Sequence, residues 1–162
     1  MLKYEKCQNP AAMLQKPHAA FLSFHSDYFS TLFSSNFKEG QMKEIEIKEV
    51  SYEDFGLLLS TIYPMQVFPN DKTAEKLLEL ADRFLMPSVN HLVEYHLLNQ
   101  SKLENEKMMM LGDQYKIKSI LERSISQTDT VEKMKKLKMS PEYAKLSSET
   151  VARLFERVLQ IV

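Results

Sequence analysis

The sequence predicts an α+β fold, mostly helical with one short sheet, followed by a helical carboxyl extension. Three observations lead there. Apolar residues recur at helical spacing through most of the chain. Residues 44–50 alternate instead, with Ile45 and Ile47 pointing one way and Glu46 and Lys48 the other, the mark of a half-buried strand. Only three glycines and six prolines punctuate 162 residues, so long helices joined by short turns are expected.

Each element follows from local signals. Residues 1–18 show no sustained period, and Pro10 and Pro17 interrupt any helix. Leu2 and Tyr4 alternate, which permits one short strand at most; the stretch reads as a poorly ordered leader. From Ala19 the pattern is helical. Ser26 is a good N-cap, Asp27 suits the positive end of a helix, and Tyr28, Phe29, Leu32 and Phe33 follow at helical spacing. Residues 36–42 form a polar turn around Gly40. After the strand, Ser51-x-x-Asp54 opens a helix striped by Phe55, Leu58, Leu59 and Ile62 and closed by Pro64. Val67-Phe68-Pro69 is extended. Asp71 caps the next helix, with Ala74, Leu77, Leu78, Ala81, Phe84 and Leu85 on one face. Pro87 breaks it, and Ser88 caps a helix carrying Val89, Leu92, Val93 and His96.

A boundary falls near Ser101. The expected division is leader 1–18, domain 19–100 and helical extension 101–162. In the extension, Ser101-x-x-Glu104 opens a helix over 104–112, and a second covers 114–127 with Ile117, Ile120, Leu121 and Ile125 buried. Residues 129–138 form a charged helix, and Ser140-Pro141 resembles a helix start. A last helix over 147–162 is expected to bury Val151, Leu154, Phe155, Val158 and Leu159.

Composition narrows function. A formal net charge of -1 gives no global field toward nucleic acid or an acidic membrane. No apolar run approaches the roughly 18 residues needed to span a bilayer, and no secretory signal is evident. The single cysteine, Cys7, fits a reducing compartment, so cytoplasm or nucleus is expected. Ten methionines and no tryptophan suggest an adaptable, gap-filled core. There is no glycine-rich phosphate loop, nucleophile elbow or carboxylate pair, so no enzyme, catalytic residue or cofactor is expected. His91 and His96 are five apart, which turns their rings about 140° from each other on a helix and argues against a metal site. Lys133-Met-Lys-Lys-Leu-Lys138 reads as the solvated rim of an amphipathic helix rather than a nuclear address. Phe21, Phe24, Tyr28, Phe29, Phe33 and Phe37 form the densest aromatic cluster. Their chemistry suits a monomer core and an interface equally.

Residues 21–62 resemble the BTB (POZ) family: FLSFHSDYFSTLF, then FKEG, then EIEIKEVSYEDFGLLLSTIYP. LLELADRFL, residues 77–85, is similar to the next family helix, and residues 101–127 to the helical extension that follows BTB domains in ubiquitin-ligase adaptors. The carboxyl half looks most like nematode-type members, which often carry a MATH domain; none is seen here. The resemblance implies a homodimer through Phe21, Leu22, Phe24, Tyr28, Phe29 and Leu32. It implies a cullin-3 contact through the hydrophobic-x-Glu motif at Phe37, Lys38 and Glu39, serving protein ubiquitination. Other BTB proteins are possible partners. The alternatives are a non-ligase oligomerisation scaffold of the transcription co-regulator type, or a truncated product that titrates full-length partners. At the front the pattern departs: the family's first strands are expected to be missing or degenerate.

Overall fold

In a computed structural model of the chain, residues 11–15, 19–34, 42, 44–64 and 66–161 are described. They hold two strands and nine α-helices. In order these are β1 (Ala11–Gln15), α1 (Ala19–His25), α2 (Asp27–Leu32), β2 (Glu44–Ser51), α3 (Tyr52–Ile62), α4 (Ala74–Arg83), α5 (Pro87–Asn99), α6 (Asn105–Gln114), α7 (Lys118–Gln127), α8 (Val131–Met139) and α9 (Ser148–Ile161), with a 3₁₀ turn at Tyr143–Lys145 before α9. The chain divides into two compact units, residues 1–69 with 76–92, and residues 70–75 with 93–162.

The first unit holds the sheet. β1 pairs antiparallel with β2, Leu14 opposite Ile45 and Ala12 opposite Ile47. The strand lies inside the stretch read above as a leader. Pro10 and Pro17 flank it rather than interrupt it, and strand ends tolerate a residue without an N–H. Ala-Ala-Met-Leu-Gln has weak strand preference of its own, so its order comes from the partner strand 30 residues on. The register then shifts, and Ala11 faces Ser51. The extra β2 residues bulge, and Glu49 there takes φ 57. Arg83 braces the bulge: its guanidinium donates to Lys48 O at 2.7 Å and Glu49 O at 3.3 Å.

α3 packs on both strands. Ser51 caps it as expected, its Oγ accepting from Asp54 N at 3.0 Å. Ile45, Ile47, Val50, Phe55, Leu58, Leu77, Leu78 and Phe84 are buried. α4 ends with Leu85 at φ 50, and Met86 N reaches back to Ala81 O at 2.8 Å, the closing bond of a Schellman cap.

Asp71 and Glu75 tie residues 70–75 to the second unit, Glu75 through Lys107 Nζ at 2.7 Å. Read as an N-cap, Asp71 instead accepts from His96 Nε2 at 2.8 Å and Lys102 N at 3.0 Å. The turn before α4 is made by Asn70 and Thr73, with Lys72 N bonded to Asn70 Oδ1 at 3.0 Å. Ser101 does not cap α6; its Oγ accepts from Leu103 N, and Glu104 is the cap residue without a side-chain bond. α7 starts at Lys118, later than the 114 read from the pattern. Lys116 takes φ 57 and Ile117 N bonds Gly112 O at 2.9 Å, a second Schellman closure. A Cβ on Gly112 would stand 2.7 Å from Leu121 N, so glycine lets α6 and α7 approach closely.

Met109, Ile125, Leu137 and Leu154 form the second unit's buried cluster, with Leu121, Met134, Tyr143 and Leu146 packed against it. α9 corrects the sequence reading. Leu154 is buried, and Val151 and Val158 are half-buried. Phe155 and Leu159 are exposed, so the apolar arc of α9 is wider than the face that packs.

Candidate interaction surface

The α1–α2 hairpin carries the expected surface and splits it in two. Leu22 and Phe29 are fully buried within the chain. Within the chain they belong to the core, unlike the outward-facing residues of the same hairpin. Phe29 stacks on Phe84 at 5.1 Å between ring centroids and on Phe33 at 5.7 Å, and meets Phe55 edge-on at 6.1 Å. Offset and edge-on pairs of this kind add modestly to the burial itself.

Ser26 fixes the hairpin's corner. Its Oγ accepts from Phe29 N at 3.1 Å, capping α2 as the sequence suggests, and donates to Phe84 O at 2.5 Å. One buried hydroxyl thus starts a helix and ties it to the end of α4. No local signal in the sequence marks that second bond.

The remaining residues face outward to different degrees. Phe21 is half-buried, its ring 4.7 Å from both His25 and Tyr63. Burial pushes the Tyr63 phenol above its ordinary pKa, so it stays neutral. Leu32 is half-buried. Phe24 is 86% exposed and Tyr28 is 38% exposed, though the Tyr28 ring still touches Phe84 edge-on at 5.3 Å. Leu85, the residue after Phe84, is exposed as well, which corrects its expected place on the buried face of α4. Phe37, Lys38 and Glu39 lie outside the described residues.

The other motifs serve structure. His96 spends Nε2 on Asp71. In the lysine run, Lys133 pairs with Asp129 at 2.6 Å, while Lys136 bridges Glu104 at 2.7 Å and Glu106 at 3.2 Å. A groove of about 330 Å³ beside these lysines, lined also by Asn105, Thr128 and Leu137, therefore has little free charge with which to select a ligand.

An exposed apolar edge beside a core of packed aromatic rings is the kind of surface a protein–protein interaction module presents. The family description "BTB/POZ domain" matches residues 11–101, more than half of the chain, starting at the first residue of β1. The chain belongs to the BTB/POZ family. It is 41% identical over 145 residues to a BTB/POZ domain-containing protein of Caenorhabditis elegans, covering 89% of this chain and 46% of that protein. It is 32% identical over 143 residues to BTB and MATH domain-containing protein 38 of the same nematode, covering 88% and 37%. Against Kelch-like protein 40 of Xenopus tropicalis, identity is 32% over 72 residues, covering 44% and 12%. The chain spans less than half the length of each of these relatives.

Proposed function

We propose that the chain is a homodimerising BTB adaptor that binds a cullin-3 scaffold and supports protein ubiquitination in the cytoplasm or nucleus. The observation that carries the dimer is Phe24. An aromatic side chain 86% exposed, on the helices to which the family resemblance assigns dimerisation, is what a partner's surface would cover. Tyr28 and the half-buried Phe21 and Leu32 extend it. A closed two-fold contact is the commonest way to cover such an edge. The cullin contact rests on Phe37-Lys38-Glu39 matching the family's hydrophobic-x-Glu motif in this position.

Two measurements test the reading. Light scattering across micromolar concentrations should give twice the chain mass, and Phe24→Asp should give the monomer. Cullin-3 capture should drop at least tenfold on Phe37→Ala with Glu39→Ala, about 1.4 kcal/mol per decade. Lys38→Ala should leave it unchanged. A wild-type chain that dimerises yet ignores cullin-3 at tens of micromolar replaces the adaptor with a non-ligase BTB scaffold. A wild-type monomer at every concentration sinks the dimer.

A further inference from the structure

His25 ends α1 on the edge proposed above for the dimer. Its imidazole is half-buried and lies against two phenyl rings, 4.7 Å from Phe21 and 5.3 Å from Phe24 between centroids. Phe21 is itself half-buried against Tyr63, whereas Phe24 stands almost free of the chain at 86% exposure. The imidazole thus joins the buried part of the hairpin to its most exposed ring.

The groups around it offer an imidazolium little. α2, the helix packed on α1, brings two titratable side chains, Asp27 and Tyr28. Asp27 is exposed and forms no ion pair with His25. Tyr28 turns its ring to Phe29 and Phe84. Tyr63, reached through Phe21 at the end of α3, keeps its phenol proton. Among the described residues no carboxylate pairs with His25. The backbone is close to neutral there too. Ser26 alone separates the negative end of α1 from the positive end of α2, so the two helix dipoles oppose each other.

Given the homodimer proposed above, we propose that His25 makes it sensitive to pH: the contact forms with both imidazoles neutral and weakens as they take up protons. A surface that covers the Phe24 ring also covers the flank of the imidazole beside it. A two-fold contact does this once in each copy and brings both histidines into one interface. A neutral imidazole has one N–H to satisfy, while an imidazolium has two and a charge. Phenyl rings accept neither N–H well, and their faces return only a small part of the hydration a covered cation loses. Two such cations in one contact also repel. Histidine is the side chain that ordinarily changes charge between about pH 5 and 8. Dimerisation of protonated chains then releases two protons, one from each copy. By linkage the dissociation constant rises as pH falls, by up to about a hundredfold per pH unit.

The test is a dilution series of the full chain by light scattering at fixed ionic strength. The dissociation constant should be about tenfold or more higher at about pH 5.5 than at about pH 8, with far-UV circular dichroism unchanged. His25→Gln, neutral throughout, should dimerise with one constant at both pH values. His25→Lys, charged throughout, should be monomeric at pH 8 where the wild type is dimeric. A wild-type chain monomeric at pH 8 overturns the dimer and the proton effect together. A wild-type dimer whose constant does not change with pH overturns the proton effect alone. So does a dimer that tightens in acid, as ring faces favouring the cation would produce. A pH effect that persists in His25→Gln, a His25→Gln monomer at pH 8, or a His25→Lys dimer there also overturns it.

Discussion

Two helices, α2 in the first unit and α9 in the second, start on a serine wired in the same way. Ser26 accepts from Phe29 N and donates to Phe84 O. Ser147 accepts from Thr150 N and donates to Asp113. The acceptor makes the difference. Phe84 O is a neutral carbonyl, and the residue that bears it also stacks on the helix it secures. Asp113 is an anion, and α9 brings it little apolar contact. The first arrangement fixes a helix permanently. The second adds a charge to the hold that Leu154 and the half-buried Val151 and Val158 give α9.

The largest expected effect breaks the first arrangement. Phe84→Ala removes the ring between Phe29, Tyr28 and Phe55 and should lower stability by roughly 3–5 kcal/mol, read from the denaturant midpoint. A loss below about 1 kcal/mol would mean the stacked rings are not what holds α2. On α9 the deep anchor is smaller. Leu154→Ala should cost roughly 2–5 kcal/mol by the same measurement, and the loss should appear first as faster exchange in α9.

Gly112→Ala sharpens the comparison from below α9. The new methyl meets Leu121 backbone, and overpacking of this kind costs about 1–3 kcal/mol. Gly56→Ala in α3, where nothing lies within 4 Å, is the control and should stabilise by about 0.5–1 kcal/mol. Thermal melts of both variants decide it; equal shifts of one sign would contradict the close approach of α6 and α7.

Acid separates the two serines. Burial by itself raises the Asp113 pKa, but the Ser147 N–H, the Ser147 hydroxyl and the Thr150 hydroxyl outweigh it and hold the carboxyl below its ordinary range. A lowered folded pKa means the contribution of these bonds is fully present above the unfolded value of about 3.9 and is lost as pH falls through the folded one. Exchange in α9 should therefore quicken on acidification before α2 responds, since the Ser26 bond does not titrate. Asp113→Asn should abolish that pH dependence. The smallest effect is Phe155→Ala, below about 0.5 kcal/mol, because its ring is 65% exposed.

The sequence made the helices legible wherever the cause was local. Ser26, Ser51 and the stripe of Leu77, Leu78 and Ala81 are instances. What it hid was non-local. β1 is Ala-Ala-Met-Leu-Gln, and nothing in those five residues announces Ile45 and Ile47 as partners. Asp113 lies 34 residues from Ser147, and its role exists only once α9 has folded back. Phe155 and Leu154 are neighbours of equal apolar character; only packing tells which one faces in. At the candidate surface, the hairpin could be located from its aromatics, but helical spacing could not separate Phe29 from Phe24, because an interface ring and a core ring obey the same period.

Glu49, Leu85 and Lys116 each take the left-handed backbone that glycine adopts freely, and no glycine among the described residues does. Each such residue strains the folded chain by about 1–2 kcal/mol. The unfolded chain feels the opposite. A side chain at these positions removes conformations that glycine would leave open, an effect of about 0.4–1 kcal/mol. Part of the strain at these bends is therefore offset before folding begins, by a denatured ensemble with less disorder to surrender.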